Sequence, residues 1–122
     1  MCGEEDFMAT IKNLTPHDVE VWCESGYTTF PKDPKVAPAR VISSVEEEGH
    51  IVVNGLKYPV SRLGKEKTAN LPPHQEGTWL IVSLVVRLAN PTRGDLISPD
   101  TGYSAGRDAD GQVMWVRGFI RN

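Results

Sequence analysis

The sequence predicts a mainly β domain, α+β only through one short helix, arranged as a small barrel- or sandwich-like sheet. Three observations predict it. Asn54-Gly55 stands between two β-branched runs and suits the positive φ values of a tight hairpin turn. Trp79-Leu80-Ile81-Val82 is a continuous apolar run of strand length. Read along its length, the rest of the chain brings the total to roughly seven or eight strands and one short helix.

Taken in order, residues 11–14 form a first strand and residues 19–22 a second with alternating faces. Thr15-Pro16-His17-Asp18 turns between them, because Pro presets φ at the second turn position. After Gly26 comes a short strand over residues 27–30. Residues 31–38 carry three prolines, which exclude both a helix and a central strand and leave an extended connector. Residues 39–46 are β-branched and strand-like, and Glu46-Glu47-Glu48-Gly49 marks a solvated turn. The hairpin follows, residues 50–53 against 56–60, with Pro59 favouring an edge for its second strand.

Residues 63–76 are polar and read as a long loop, functional or mobile. Gly77-Thr78 opens the buried strand at residues 79–82. Ser83 caps a helix over residues 84–90, with Leu84, Val85 and Leu88 on its apolar face, and Asn90-Pro91 stops it. Residues 95–98 form a further strand, residues 99–106 a loop. An Asp110-Gly111 turn followed by residues 112–120 closes the chain as a hairpin.

The totals bound the function. At 122 residues, 39% apolar and 24% charged, the chain is one globular domain, read over residues 8–122. Met8-Ala9-Thr10-Ile11 resembles a bacterial start running straight into a strand, so residues 1–7 are an extension or a disordered tail. The net charge is −3 and the basic residues are scattered, which argues against a general nucleic-acid-binding surface. The longest apolar run falls far short of a membrane span. The acidic opening is unlike a signal peptide, so a cytoplasmic protein is expected, with Cys2 and Cys23 as thiols rather than a disulfide.

Familiar motifs fail on context. Asp100-Thr101-Gly102 is the triplet of retroviral-type aspartic proteases, but Ser98-Pro99 precedes it and only twenty residues follow Gly102. An Asp that caps its own loop explains the same letters. Asp108-Ala109-Asp110-Gly111 opens like a calcium loop, yet position 119 is Phe where that loop needs Glu. Leu63-Gly64-Lys65-Glu66 lacks the glycine and the Ser/Thr of a phosphate loop. His17, His50, His74 and Cys23 lack zinc-ligand spacing, and Ser83 has no nucleophile elbow. No metal and no cofactor are expected.

A polar constellation remains at the predicted element ends: Thr15, His17, Ser83, Arg87, Arg93, Asp95, Asp100, Thr101, Arg107 and Asp108. Arg87, Arg93 and Arg107 are the charge-assisted donors of an anion cleft near the start of the short helix. Turn chemistry and surface ion pairs account for the same residues without any ligand.

Three stretches carry a resemblance. Residues 11–19, with Asn13-Leu14-Thr15-Pro16-His17, look like the opening of a group of small proteins found in bacteriophages and prophages. Gly77-Thr78-Trp79-Leu80-Ile81-Val82-Ser83 resembles their central strand. Asp95-Leu96, Ser98-Pro99-Asp100-Thr101-Gly102 and Arg107-Asp108-Ala109-Asp110-Gly111-Gln112-Val113 resemble their C-terminal part. The resemblance implies a phage or prophage setting and assigns no reaction.

Three functions follow as expectations. The first is a non-enzymatic binding protein, oligomeric, acting on a host defence protein or an anionic, nucleotide-like small molecule. The second is a small hydrolase or transferase using His17 as base with Asp95 or Asp100. The third is a virion or structural part with a flat self-contact surface.

Overall fold

The computed structural model describes residues 9–122. The expected tail, residues 1–7, and Cys2 lie outside the described residues. The strands are β1 (Thr10–Asn13), β2 (Val19–Cys23), β3 (Gly26–Phe30), β4 (Arg40–Val53), β5 (Leu56–Ala69) and β6 (Thr78–Ile81). Helix α1 (Leu84–Ala89) follows, then β7 (Leu96–Pro99), β8 (Gly106–Arg107), β9 (Val113–Trp115) and β10 (Phe119–Arg121). Strand dominates and one short helix interrupts it, so the mainly β reading holds.

The strands divide into a four-stranded sheet, order β1-β6-β7-β10, and three two-stranded ribbons, β2-β3, β4-β5 and β8-β9. Strands β1, β6 and β7 run parallel, and β10 closes the edge antiparallel to β7. Parallel neighbours need a crossover of a dozen or more residues, and residues 82–95 with α1 supply the one between β6 and β7.

The central strand explains the continuous apolar run. Leu80 and Val82 pack with Leu14, Ala39, Val86 and Leu96 on one face of the sheet. Ile81 packs with Val19, Ile97 and Val116 on the other, joined by Trp79, Ile11 and Phe30. A strand buried on both faces reads as an unbroken hydrophobic run rather than an alternation. The β2-β3 ribbon covers one face through Val19, Val21 and Phe30. Helix α1 covers the other through Val86, beside Val41 at the base of β4.

The hairpin turn is as the sequence implied, with Asn54 at φ 51° and Gly55 at φ 79°. Its arms are much longer than expected. Glu46-Glu47-Glu48-Gly49 is no turn: β4 runs through it, with register irregularities between Ser43 and Val45 and between Glu47 and Gly49. Residues 63–69 likewise belong to β5, and the loop shrinks to residues 70–77. Both errors share a cause. A ribbon exposed on both faces shows no apolar alternation, so its charged middle looks like loop.

Two further expectations need correction. Leu84, Val85 and Leu88 do not face the core; each is more than half exposed, whereas Val86 and Arg87 are buried. The final stretch is two strands in two sheets, because Val116 bridges to Val21 and Gly118 carries the chain from β9 to β10.

Val82 is fully buried beside the central strand, while Val60 sits half-buried in a two-stranded ribbon. Val82→Asp places an uncompensated charge in a dry core, and the expected outcome is loss of folding. Val60→Thr is expected to lower the melting temperature by only a few degrees, about 1 kcal/mol for a chain of this size. Thermal unfolding followed by circular dichroism checks both. Equal destabilisation by the two changes would contradict the strand order.

Candidate functional site

Parallel strands place like ends together. The carboxyl ends of β1, β6 and β7 lead into Thr15-Pro16-His17, Ser83 and Asp100-Thr101 respectively, so these residues gather at one end of the sheet. Arg93 and Asp95 precede β7 and lie at the opposite end. There they line a cleft of about 620 Å³ with His74, Glu76 and Thr78. The single cleft expected from the sequence is therefore split across the sheet.

Asn13, the last residue of β1, organises the first turn. Its buried amide Nδ2 donates to His17 O at 2.9 Å and to Phe30 O at 2.7 Å. Its Oδ1 accepts from Thr15 N at 2.9 Å and lies 2.7 Å from Thr15 Oγ1. The Thr15 hydroxyl also lies 2.8 Å from His17 O, so its one proton is shared between two acceptors. Asn13 thus ties β1 to its own turn and to the end of β3. It was not among the sequence candidates, although an Asn two residues before a Thr-Pro turn is a recognisable Asx signal.

The three arginines expected to hold an anion are engaged inside the protein. Arg87 is buried, donating to Ser98 Oγ at 2.8 Å and to Asn122 Oδ1 at 3.2 Å. Asn122 in turn donates to Arg87 O and Asn90 O, which satisfies carbonyls at the end of α1. Arg93 grips Asp95 with two bonds of 2.8 Å and reaches Pro72 O with a third. Arg107 is exposed, but its Nη1 and Nη2 donate to Gly111 O and Thr101 O, each at 2.7 Å, which staples two loops.

The remaining candidates are turn chemistry. Asp100 Oδ1 accepts from Gly102 N, and Asp108 Oδ1 accepts from Asp110 N and Gln112 N. Thr101 takes part through its carbonyl alone. Ser83 caps α1, its Oγ accepting from Val86 N at 3.3 Å. His17 is exposed at the carboxyl end, remote from Asp95 across the length of the sheet, so the pairing of these two as base and acid is withdrawn. The Cys23 sulfur lies 3.2 Å from Ser25 Oγ.

A second cleft, of about 730 Å³, opens at the carboxyl end, lined by Pro16, Pro38, Arg40, Val41, Ser83 and Val85. That volume is ordinary for a small-molecule site, and open α/β sheets bind ligands beyond the carboxyl ends of their strands. Its cation is Arg40, which has no ion-pair or hydrogen-bond partner for its guanidinium among the described residues. Sequence reasoning passed over Arg40 because it stood in a predicted strand rather than in a turn. Among the described residues no group of three or more His, Cys, Asp or Glu is placed to hold a metal ion, and no helix is long and apolar enough to cross a membrane.

The fold and its clefts define a mainly β domain built on a mostly parallel four-stranded sheet, with an open cleft at the carboxyl ends of β1 and β6. No protein-family model, curated protein or solved structure matches the chain.

Two predictions follow from these contacts. Asn13→Ala strands the carbonyls of His17 and Phe30 and the amide of Thr15, and is expected to cost about 1–3 kcal/mol in urea unfolding. The second concerns acid. The Arg93 hydrogen bonds hold the Asp95 carboxyl below the ordinary aspartate range, outweighing burial, which pushes it up. A lowered folded pKa contributes stability above the unfolded value of about 3.9, and that stability is lost as pH falls through the folded pKa. Asp95→Asn is therefore expected to be less stable at neutral pH and to show a shallower decline below about pH 4. Urea unfolding across that range measures the slope.

Proposed function

We propose that the protein is a non-enzymatic binding protein of the phage-accessory type its opening resembles, working in the cytoplasm of the host cell. Its ligand in this reading is an anionic, nucleotide-like small molecule seated in the carboxyl-end cleft. The observation that carries the reading is Arg40, a cation without an ion-pair partner among the described residues, on a cleft whose other walls are largely apolar. Pro16, Pro38, Val41 and Val85 suit the flat body of a base or another ring, and Arg40 suits a phosphate or carboxylate by bidentate, charge-assisted hydrogen bonds. Ser83 uses its oxygen as the helix cap and keeps its hydroxyl proton to donate. Pro16 and Pro38 stiffen the rim, which lowers the entropy cost of holding these groups in place. The Asp100 carboxylate at this end serves as a turn cap, which supports binding over catalysis.

A host-protein target is the second reading, favoured by the exposed Leu84, Val85 and Leu88 on α1 beside the same cleft. One experiment separates the two. Native mass spectrometry and calorimetry against a panel of adenine and guanine nucleotides, linear and cyclic, are expected to show a bound species. Arg40→Ala is expected to weaken that binding by about 10- to 100-fold, the equivalent of about 1.5–3 kcal/mol for a hydrogen bond to a charged group, with unchanged melting temperature. No binding by any member of the panel, or binding indifferent to Arg40→Ala, would overturn the small-molecule reading. If Leu88→Asp instead abolished capture of a host protein, the second reading would stand.

A further inference from the structure

The β4-β5 ribbon is larger than anything the domain needs for its own core. Beyond Val41 and Thr68 the arms leave the packed body, and nearly every residue on them is exposed. Twelve residues of extended chain reach about 40 Å, against a radius of gyration of about 14 Å for a compact chain of 122 residues. A lone two-stranded ribbon is marginal in water, since stable sheets take a third strand or a covering layer.

Three features of the ribbon point to what supplies that layer. The first is its edges: among the described residues the sheet has two strands only, so the outer edges of both β4 and β5 carry unpaired backbone groups. The second is an apolar face near the tip. Ile51 pairs with Tyr58 and Val53 with Leu56, and these pairs, two residues apart, share one face; each of the four is about half exposed. The third is charge. Strand β4 carries Glu46, Glu47 and Glu48, whereas β5 carries Lys57, Arg62, Lys65 and Lys67 against the single acid Glu66. Within the ribbon Arg62 meets Glu46 and Glu48 at 3.1 and 3.4 Å. Glu47, Lys57, Lys65 and Lys67 have no ion-pair partner among the described residues.

We infer that the ribbon is a self-association surface on which the acidic β4 edge of one copy pairs antiparallel with the basic β5 edge of the next. Like-edge pairing is disfavoured on both sides. Two β4 edges would set one Glu46-Glu47-Glu48 run beside another, and like charges directly opposite destabilise a sheet. Two β5 edges would bring lysines together around Pro59, which has no N–H to donate. Pairing β4 with β5 continues the antiparallel alternation from copy to copy and aligns the apolar tip faces side by side. Such a contact is heterologous, so it closes into a ring of three or more copies where the rotation permits and otherwise grows as a filament. The inference is independent of the ligand reading, since the ribbon arms lie outside the Arg40 cleft except at their base.

The test uses the full chain and two charge-reversed variants in native mass spectrometry and light scattering. One variant is Glu47→Lys with Glu48→Lys, which leaves the Arg62–Glu46 bond intact; the other is Lys57→Glu, Lys65→Glu and Lys67→Glu. Circular dichroism and melting temperature verify that both remain folded. The wild-type chain is expected to form oligomers larger than a dimer. Each variant alone is expected to remain monomeric, because its two edges then carry like charge. An equimolar mixture is expected to assemble again beyond a dimer with the variants alternating, in rings of even number or in open chains. A wild-type monomer at every concentration, a species no larger than a dimer, assembly indifferent to both variants, or a mixture that stays monomeric would each overturn the inference.

Discussion

Strand β6 packs side chains against covering elements on both faces of its sheet. Leu80 and Val82 are held against α1 and Leu14 on one side, and Trp79 and Ile81 against the β2-β3 ribbon on the other. Such a strand must be flanked on both edges, since an unpaired backbone in a dry environment costs as much as a lost hydrogen bond. Strands β1 and β7 supply those edges, both parallel to it. Most of the remaining structure follows from that demand. A parallel β7 requires a crossover, the crossover contains the only helix among the described residues, and the helix covers the face that carries Leu80 and Val82. The parallel arrangement also gathers the Thr15-Pro16-His17 turn and Ser83 at one end and sends Arg93 and Asp95 to the other.

The polar residues at the strand ends illustrate how little side-chain type alone says about function. Arg87, Arg93 and Arg107 have the charge an anion site wants, but each is held by groups of the protein itself: a serine and the terminal asparagine, an aspartate, and two backbone carbonyls. A guanidinium presents five donors in a fixed fork, and internal acceptors engage two of them in Arg87 and in Arg107, while Arg93 makes three such bonds. What separates Arg40 from the other three is the absence of such acceptors around its guanidinium among the described residues, together with the apolar walls beside it. Asn13 is the converse case, a neutral side chain whose four contacts hold the turn that forms the rim of the cleft.

The ribbon raises a different issue. In its middle Arg62 bridges Glu46 and Glu48 across the strands in water, where such pairs contribute only a few tenths of a kcal/mol up to about 1 kcal/mol. Local turn chemistry at Asn54-Gly55 nucleates the hairpin, and cross-strand pairing propagates it. Neither accounts for fourteen residues on each arm. Two open edges of opposite charge and an apolar tip face are the features that set this ribbon apart from β2-β3, which packs on the sheet.

By itself the sequence determined what depends on neighbours in the chain. The Asn54-Gly55 turn, the Ser83 cap, the stop at Asn90-Pro91, the burial of residues 80–82 and the turn roles of Asp100 and Asp108 all rest on a few adjacent residues. Their physics is local: allowed φ values, a side chain within reach of its own backbone, and runs of apolar surface. Only the tertiary structure decided the rest. That β1, β6 and β7 are parallel, that Arg93 faces away from Ser83, that Leu84 and Leu88 are exposed while Arg87 is buried, and that residues 63–69 extend a strand depend on residues far apart in the chain. Charge and burial at those positions are set by what packs against them, and one chain's order of residues does not state its neighbours in space.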